Sequence, residues 1–213
     1  MTPTPSSGYV SVIGTNYLHP ISSLLESLEL LDPKGPNEVQ ASPLENGYSV
    51  AITVLTVLLL ESAINRTQYI RGEKPPKKPV NFVRATYPVS TFGDILEELF
   101  VVRDVIVHSH LWEAEITWDE QMRMRLISAE REEGYGDKKF DKVINPAERK
   151  TRQLGINLFP TRICRTDAVV VLKNAVEFLL FLENEDRRYI YISPQPVKFK
   201  RNMVNFVDLI ASL

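Results

Sequence analysis

The segment between Gly47 and Gly72 constrains this chain most. It contains neither proline nor glycine, and Arg71-Gly72 supplies a stop at its end. Residues 48–71 are therefore predicted to form one long helix. Its first half is apolar nearly all round, which marks a buried central helix rather than a surface one. The longest apolar run, Val50–Leu60, is interrupted by Thr53 and Thr56. It falls well short of the ~20 residues of a membrane span. Glu61 lies on the stripe formed by Val54, Val57, Leu58 and Ile64. An unpaired carboxylate on an apolar face is costly. Glu61 is then either a rim acid paired with a surface base or an acid that orients a catalytic Arg or His.

The elements around this helix follow from periodicity and punctuation. Residues 1–19 are rich in Ser, Thr, Pro and Gly and read as a flexible segment; residues 20–213 read as one domain. Pro20 opens an amphipathic helix with Ile21, Leu24, Leu25, Leu28 and Leu31 on one stripe, and Asp32-Pro33 ends it. A loop is expected from there to Gly47. Glu73–Pro79 reads as a polyproline-type connector. Its lysines, Lys74, Lys77 and Lys78, either contact phosphates or are simply solvated. Residues 90–109 are capped by Ser90 or Thr91 and unbroken, so a helix is preferred over a strand despite the Val and Ile content.

Residues 111–127 change period. Trp112, Ala114, Ile116 and Trp118 alternate with polar residues, as do Met122, Met124 and Leu126. A hairpin with the loop Asp119-Glu120-Gln121 pairs Ile116 with Met124 and Glu115 with Arg125. The region 129–165 is charged and irregular, with helical content expected around Pro146–Gln153. Thr166-Asp167 is expected to cap a strong helix ending at Arg187-Arg188. Tyr189–Ile192 reads as a short strand, and a last helix uses Met203, Phe206, Val207 and Ile210. The expected fold is mainly α, a helical bundle with a small β-hairpin and loop insertion at about 111–165.

Composition excludes several classes. A net charge of −2 argues against a globally basic nucleic-acid coat, and the single cysteine, Cys164, excludes an internal disulfide or a cysteine zinc cluster. The N-terminal residues lack the basic and apolar regions of a secretory signal. A soluble, cytoplasmic protein with no membrane association is expected.

The chemistry concentrates on the helix at 90–109. At 100° per residue, Leu96, Leu99, Phe100, Ile106 and Val107 all lie within about 60° of Arg103. Val101, Asp104, Val105 and His108 form a second stripe. Apolar on two sides, the helix is suited to face the core with one and a partner subunit with the other. A guanidinium within an apolar stripe needs an anionic partner. Asp104 and His108 stand at i,i+4, where the carboxylate can orient the imidazole.

The segment Arg103-Asp104-Val105-Ile106-Val107-His108 resembles the Rx4-6H signature of HEPN domains. Glu98, five residues before the Arg, matches the extended acidic form of that signature. Val102 stands where a Lys often precedes the Arg, and Asp104 where Asn is frequent. The resemblance covers residues 20–110 and the helix at 167–184. It implies an antiparallel helical bundle acting as a metal-independent, cofactor-free endoribonuclease. Arg103 and His108 would be its catalytic residues, supported by Asp104, Glu98, Glu61 and His110. It further implies a homodimer, RNA as substrate, a defence, stress or toxin–antitoxin setting, and an antitoxin or other protein partner. In such chemistry the 2′-hydroxyl attacks its own phosphate, with His108 moving the proton and Arg103 meeting the phosphate charge.

Two other readings compete. His108-Ser109-His110 has the form of a metal-binding HxH pair, but only His19 remains to add a histidine ligand. The second is a non-catalytic HEPN-like module that binds nucleotide, RNA or protein. Lys198, Lys200 and Arg201, near Tyr189, Tyr191 and Phe199, form a basic-aromatic tract suited to single-stranded RNA. The same tract also reads as a solvated edge strand with core-facing rings.

Overall fold

A computed structural model describes residues 15–32, 42–108, 114–118, 122–126, 139–189 and 191–213. The long central helix, α2, runs from Pro43 to Ile70. It begins five residues before the expected start because Pro43 occupies the first turn, where its missing N–H costs nothing. Gly47 sits within it. Gly72 then adopts the left-handed conformation, φ +72°, and its amide bonds the Tyr69 carbonyl at 3.0 Å. That is the expected glycine stop.

By length and composition α2 is apolar enough to cross a membrane. Here it is a core helix. It packs against α1 (Leu18–Glu29), α3 (Pro79–Thr86), α4 (Phe92–Val107) and above all α6 (Arg165–Glu185). Ile52, Val57, Leu60 and Ile64 are fully enclosed, as are Ala168, Val171, Phe178, Leu179 and Leu182 of α6. Buried Thr53 and Thr67 satisfy their hydroxyls on the carbonyls of Ser49 and Ala63, both at 2.9 Å.

α1 follows a short 3-10 turn, Thr15–Tyr17, so residues 15–19 of the expected flexible segment are helical. Residues 1–14, and 33–41 of the expected loop, lie outside the described residues. α3 was not anticipated. It grows from the end of the proline-rich connector, which Gln68 holds to α2: its carboxamide accepts from the Lys77 amide (2.7 Å) and donates to the Lys77 carbonyl (3.0 Å). Arg84 of α3 joins Asp94 and Glu97 of α4 at 2.5 and 2.6 Å.

β1 (Ala114–Trp118) and β2 (Met122–Leu126) form the expected antiparallel hairpin in the expected register, Ile116 opposite Met124 and Glu115 opposite Arg125. After it come α5 (Phe140–Val143) and the two-residue strands β3 (Ile144–Asn145) and β4 (Lys150–Thr151). Helix was expected at Pro146–Gln153; Asn145 and Lys150 pair instead across a turn at 146–149.

α6 is capped by Cys164 and Asp167, one to two residues before the expected Thr166-Asp167 start. Of the expected strand Tyr189–Ile192, Ile190 lies outside the described residues, and Tyr189, Tyr191 and Ile192 are not in a strand. A 3-10 turn, Arg187–Tyr189, is followed by a bend, and the strands are β5 (Pro196–Phe199) and β6 (Asn202–Asn205). Met203 therefore belongs to β6, where it is exposed, and α7 spans Phe206–Ala211. Among the described residues the fold is mainly helical, seven α-helices with three small antiparallel strand pairs.

Candidate functional site

α4 carries the candidate residues toward its C-terminal end. Val101, Val102 and Val105 are buried, as are Leu96, Leu99 and Phe100. Val101 and Val105 of the second stripe thus lie in the chain's own core, whereas Asp104 and His108 of that stripe are partly and mostly exposed. Val107, at the helix end, is half exposed.

Arg103 sits at the edge of this buried surface, with a fifth of its side chain exposed. Its guanidinium lies 5.6 Å from the centre of the Phe100 ring, within cation–π reach. Its Nε is 2.7 Å from Asp104 Oδ1, yet makes no aligned hydrogen bond. Neighbouring side chains on a helix diverge, so the two meet at an angle. Glu61 of α2 is 3.6 Å from Arg103 Nη1, which resolves its two readings in part: it is a half-exposed acid paired with this particular base.

His108 ends the helix. Its amide bonds the Asp104 carbonyl at 2.9 Å, while its Nε2 is 4.0 Å from Asp104 Oδ1. The imidazole is mostly solvent-exposed, so Asp104 is a loose electrostatic neighbour and not a hydrogen-bonding clamp.

A cleft of about 220 Å³ opens beside Arg103. It is lined by Glu61, Lys78, Pro79, Val80, Phe100, Arg103, Asp104 and Lys139. Three cations from three separate parts of the chain thus face two carboxylates. Lys78 comes from the connector run singled out in the sequence, whereas Lys77 of that run pairs with Glu73 at 3.2 Å. Lys139 belonged to no motif. It reaches the cleft because α5, which it precedes directly, packs against α4, and no local pattern encodes that.

The remaining candidates lie elsewhere. Glu98 is buried and accepts the amides of Gln153 (2.8 Å) and Leu154 (3.0 Å). It anchors the loop after β4 and does not line the cleft. His110 lies outside the described residues. Lys200 pairs with Glu29 of α1, and its amide bonds Glu26 at 3.1 Å. Lys198 and Arg201 are exposed, but Tyr189, Tyr191 and Phe199 are buried. The expected RNA-stacking tract therefore lacks available rings: those side chains build the core. Among the described residues no group of three His, Cys, Asp or Glu side chains is arranged to hold a metal ion.

No protein-family model, no curated protein and no solved structure matches the chain.

Proposed function

We propose that the chain is a HEPN-like protein that cleaves RNA at the α4 cleft without a metal ion. One observation carries this reading. Arg103, from the signature-like segment, forms the wall of an open cation-rich cleft, with His108 one helical turn further on. A phosphate in the cleft meets Arg103, and the exposed His108 imidazole beyond it on the same helix would move the 2′-hydroxyl proton. Asp104 lies 2.7 Å from Arg103 Nε and 4.0 Å from His108 Nε2, between the two candidate groups. The homodimer, the antitoxin and the defence or stress setting belong to this proposal through the resemblance alone.

The test is product chemistry. Wild-type protein incubated with RNA in EDTA is expected to leave 2′,3′-cyclic phosphate and 5′-hydroxyl ends. Intact RNA across varied sequences, or cleavage only after metal is restored, overturns the reading. The competing binding-module reading rests on the exposure of His108, which no side-chain hydrogen bond among the described residues holds in place. It predicts RNA binding without product.

A further inference from the structure

We propose that this cleft is a seat for a single phosphate of an RNA strand, with Lys78 and Lys139 as its binding residues and Glu61 as the anion that the phosphate displaces from Arg103. The inference deepens the ribonuclease reading and rests on it for the choice of RNA as ligand.

The cleft's size comes first. At about 220 Å³ it is smaller than the roughly 300–1,000 Å³ of pockets that enclose a drug-sized ligand. It suits one phosphate with part of its sugar, so the bases of a strand would lie outside it. Recognition at this point is then of charge and backbone, not of sequence.

The charge arrangement comes second. Lys78, Arg103 and Lys139 outnumber Glu61 and Asp104 along the lining, in a chain whose net charge is −2. A local excess of cations against the global sign is what an anion site requires. The cations enter from different directions: Lys78 at the start of α3, Arg103 on α4, and Lys139 on the approach to α5. The first turn of α3 also lines the cleft through Pro79 and Val80. The Lys78 side chain does not cap that helix, and helix geometry leaves the amides of Val80 and Asn81 outside the intrahelical ladder. A phosphate there gains the positive end of α3 in addition to the three cations.

The hold on Arg103 comes third. Its contact with Glu61 is 3.6 Å, longer than a charge-assisted hydrogen bond, and its Nε has no aligned acceptor. The guanidinium is neutralised but not saturated. The two non-bridging oxygens of a phosphate offer the bidentate geometry that Glu61 does not reach. Glu61 is then a competitor for the seat, and removing its charge should tighten binding.

The probe is a fluorescently labelled hexanucleotide of 2′-O-methyl RNA, which lacks the attacking hydroxyl and cannot be cleaved. Binding is read by anisotropy, with inorganic phosphate as competitor and a methylphosphonate-linked hexanucleotide as the uncharged control. Lys78→Ala and Lys139→Ala are each expected to weaken binding about fivefold and to flatten its salt dependence. Glu61→Gln is expected to tighten it about threefold. Inorganic phosphate should compete, and the methylphosphonate strand should bind poorly. Both lysine variants binding within twofold of wild type, or equal binding of the charged and uncharged strands, overturns the seat.

The two failures separate cleanly. If the probe binds as described but natural RNA is never cut, the seat stands and the ribonuclease reading falls. If natural RNA is cut with unchanged KM in the folded lysine variants, the ribonuclease reading stands and the seat falls.

Discussion

At the scale of residues, the same residue type does different work according to its surroundings. Glu61 and Glu98 were both candidate supporting acids, yet one reaches Arg103 and the other is sealed against two loop amides. Glu98→Ala should leave those amides without their carboxylate and lower stability by about 2 kcal/mol. Urea unfolding checks this, and the RNA-binding affinity of the folded fraction should be unchanged. Tyr191 shows a buried phenol doing structural work. Its hydroxyl lies 2.6 Å from Thr67 Oγ1 and donates to the Ala63 carbonyl at 3.0 Å. Burial pushes it up to about 12, against the opposing pull of Thr67 and Arg66. Between pH 10 and 12 the unfolded chain has lost this proton and the folded chain has kept it. The unfolded state binds fewer protons there, so stability falls as pH rises through that window. Tyr191→Phe should cost about 1 kcal/mol at neutral pH and make the alkaline loss of stability shallower, as read from urea midpoints across pH.

Elements reveal what periodicity can and cannot convey. Helices at 20–31, 48–71 and 90–109 were legible because their apolar spacing and stops are local. The β1–β2 pairing matches the register that a three-residue loop gives, although alternation alone admits loops two residues shorter or longer. The start of α6 was not legible. Its cap is Cys164, whose amide bonds Asp167 at 3.0 Å, and cysteine is not a residue usually read as a cap. Asp167 also accepts from the Asn157 amide at 3.0 Å and its side chain at 2.9 Å, tying the helix to the strand-rich segment before it. Asp167→Ala should therefore destabilise by about 3 kcal/mol, more than loss of an isolated cap, in thermal or urea unfolding. Arg165 binds the Leu28 and Leu31 carbonyls at the end of α1, a contact across more than half the chain. No spacing rule exposes such a bridge. The same holds for Lys139 in the cleft and for the burial of Tyr189, Tyr191 and Phe199, which only packing decides.

The whole molecule is organised around α2. Its apolar surface is long enough to suggest a membrane, and half of its most apolar window is buried in a fold where α1, α3, α4 and α6 pack against it. Leu60 lies at the centre of that packing and Leu44 near its exposed end. Leu60→Ala should cost about 3 kcal/mol, whereas Leu44→Ala should stay within about 0.5 kcal/mol, by urea unfolding. Equal, small effects would contradict the enclosed position of α2. The same arrangement places Glu61 against Arg103 and brings the starts of α3 and α5 to the C-terminal half of α4. The core and the cleft are thus built from the same helices. The most direct measurement of the proposed chemistry is the rate of RNA cleavage in EDTA for wild type, Arg103→Ala and His108→Ala, each shown to be folded by circular dichroism. Wild type should cleave, and both variants should lose about 100-fold or more in rate. Wild-type rates in either folded variant would contradict that chemistry.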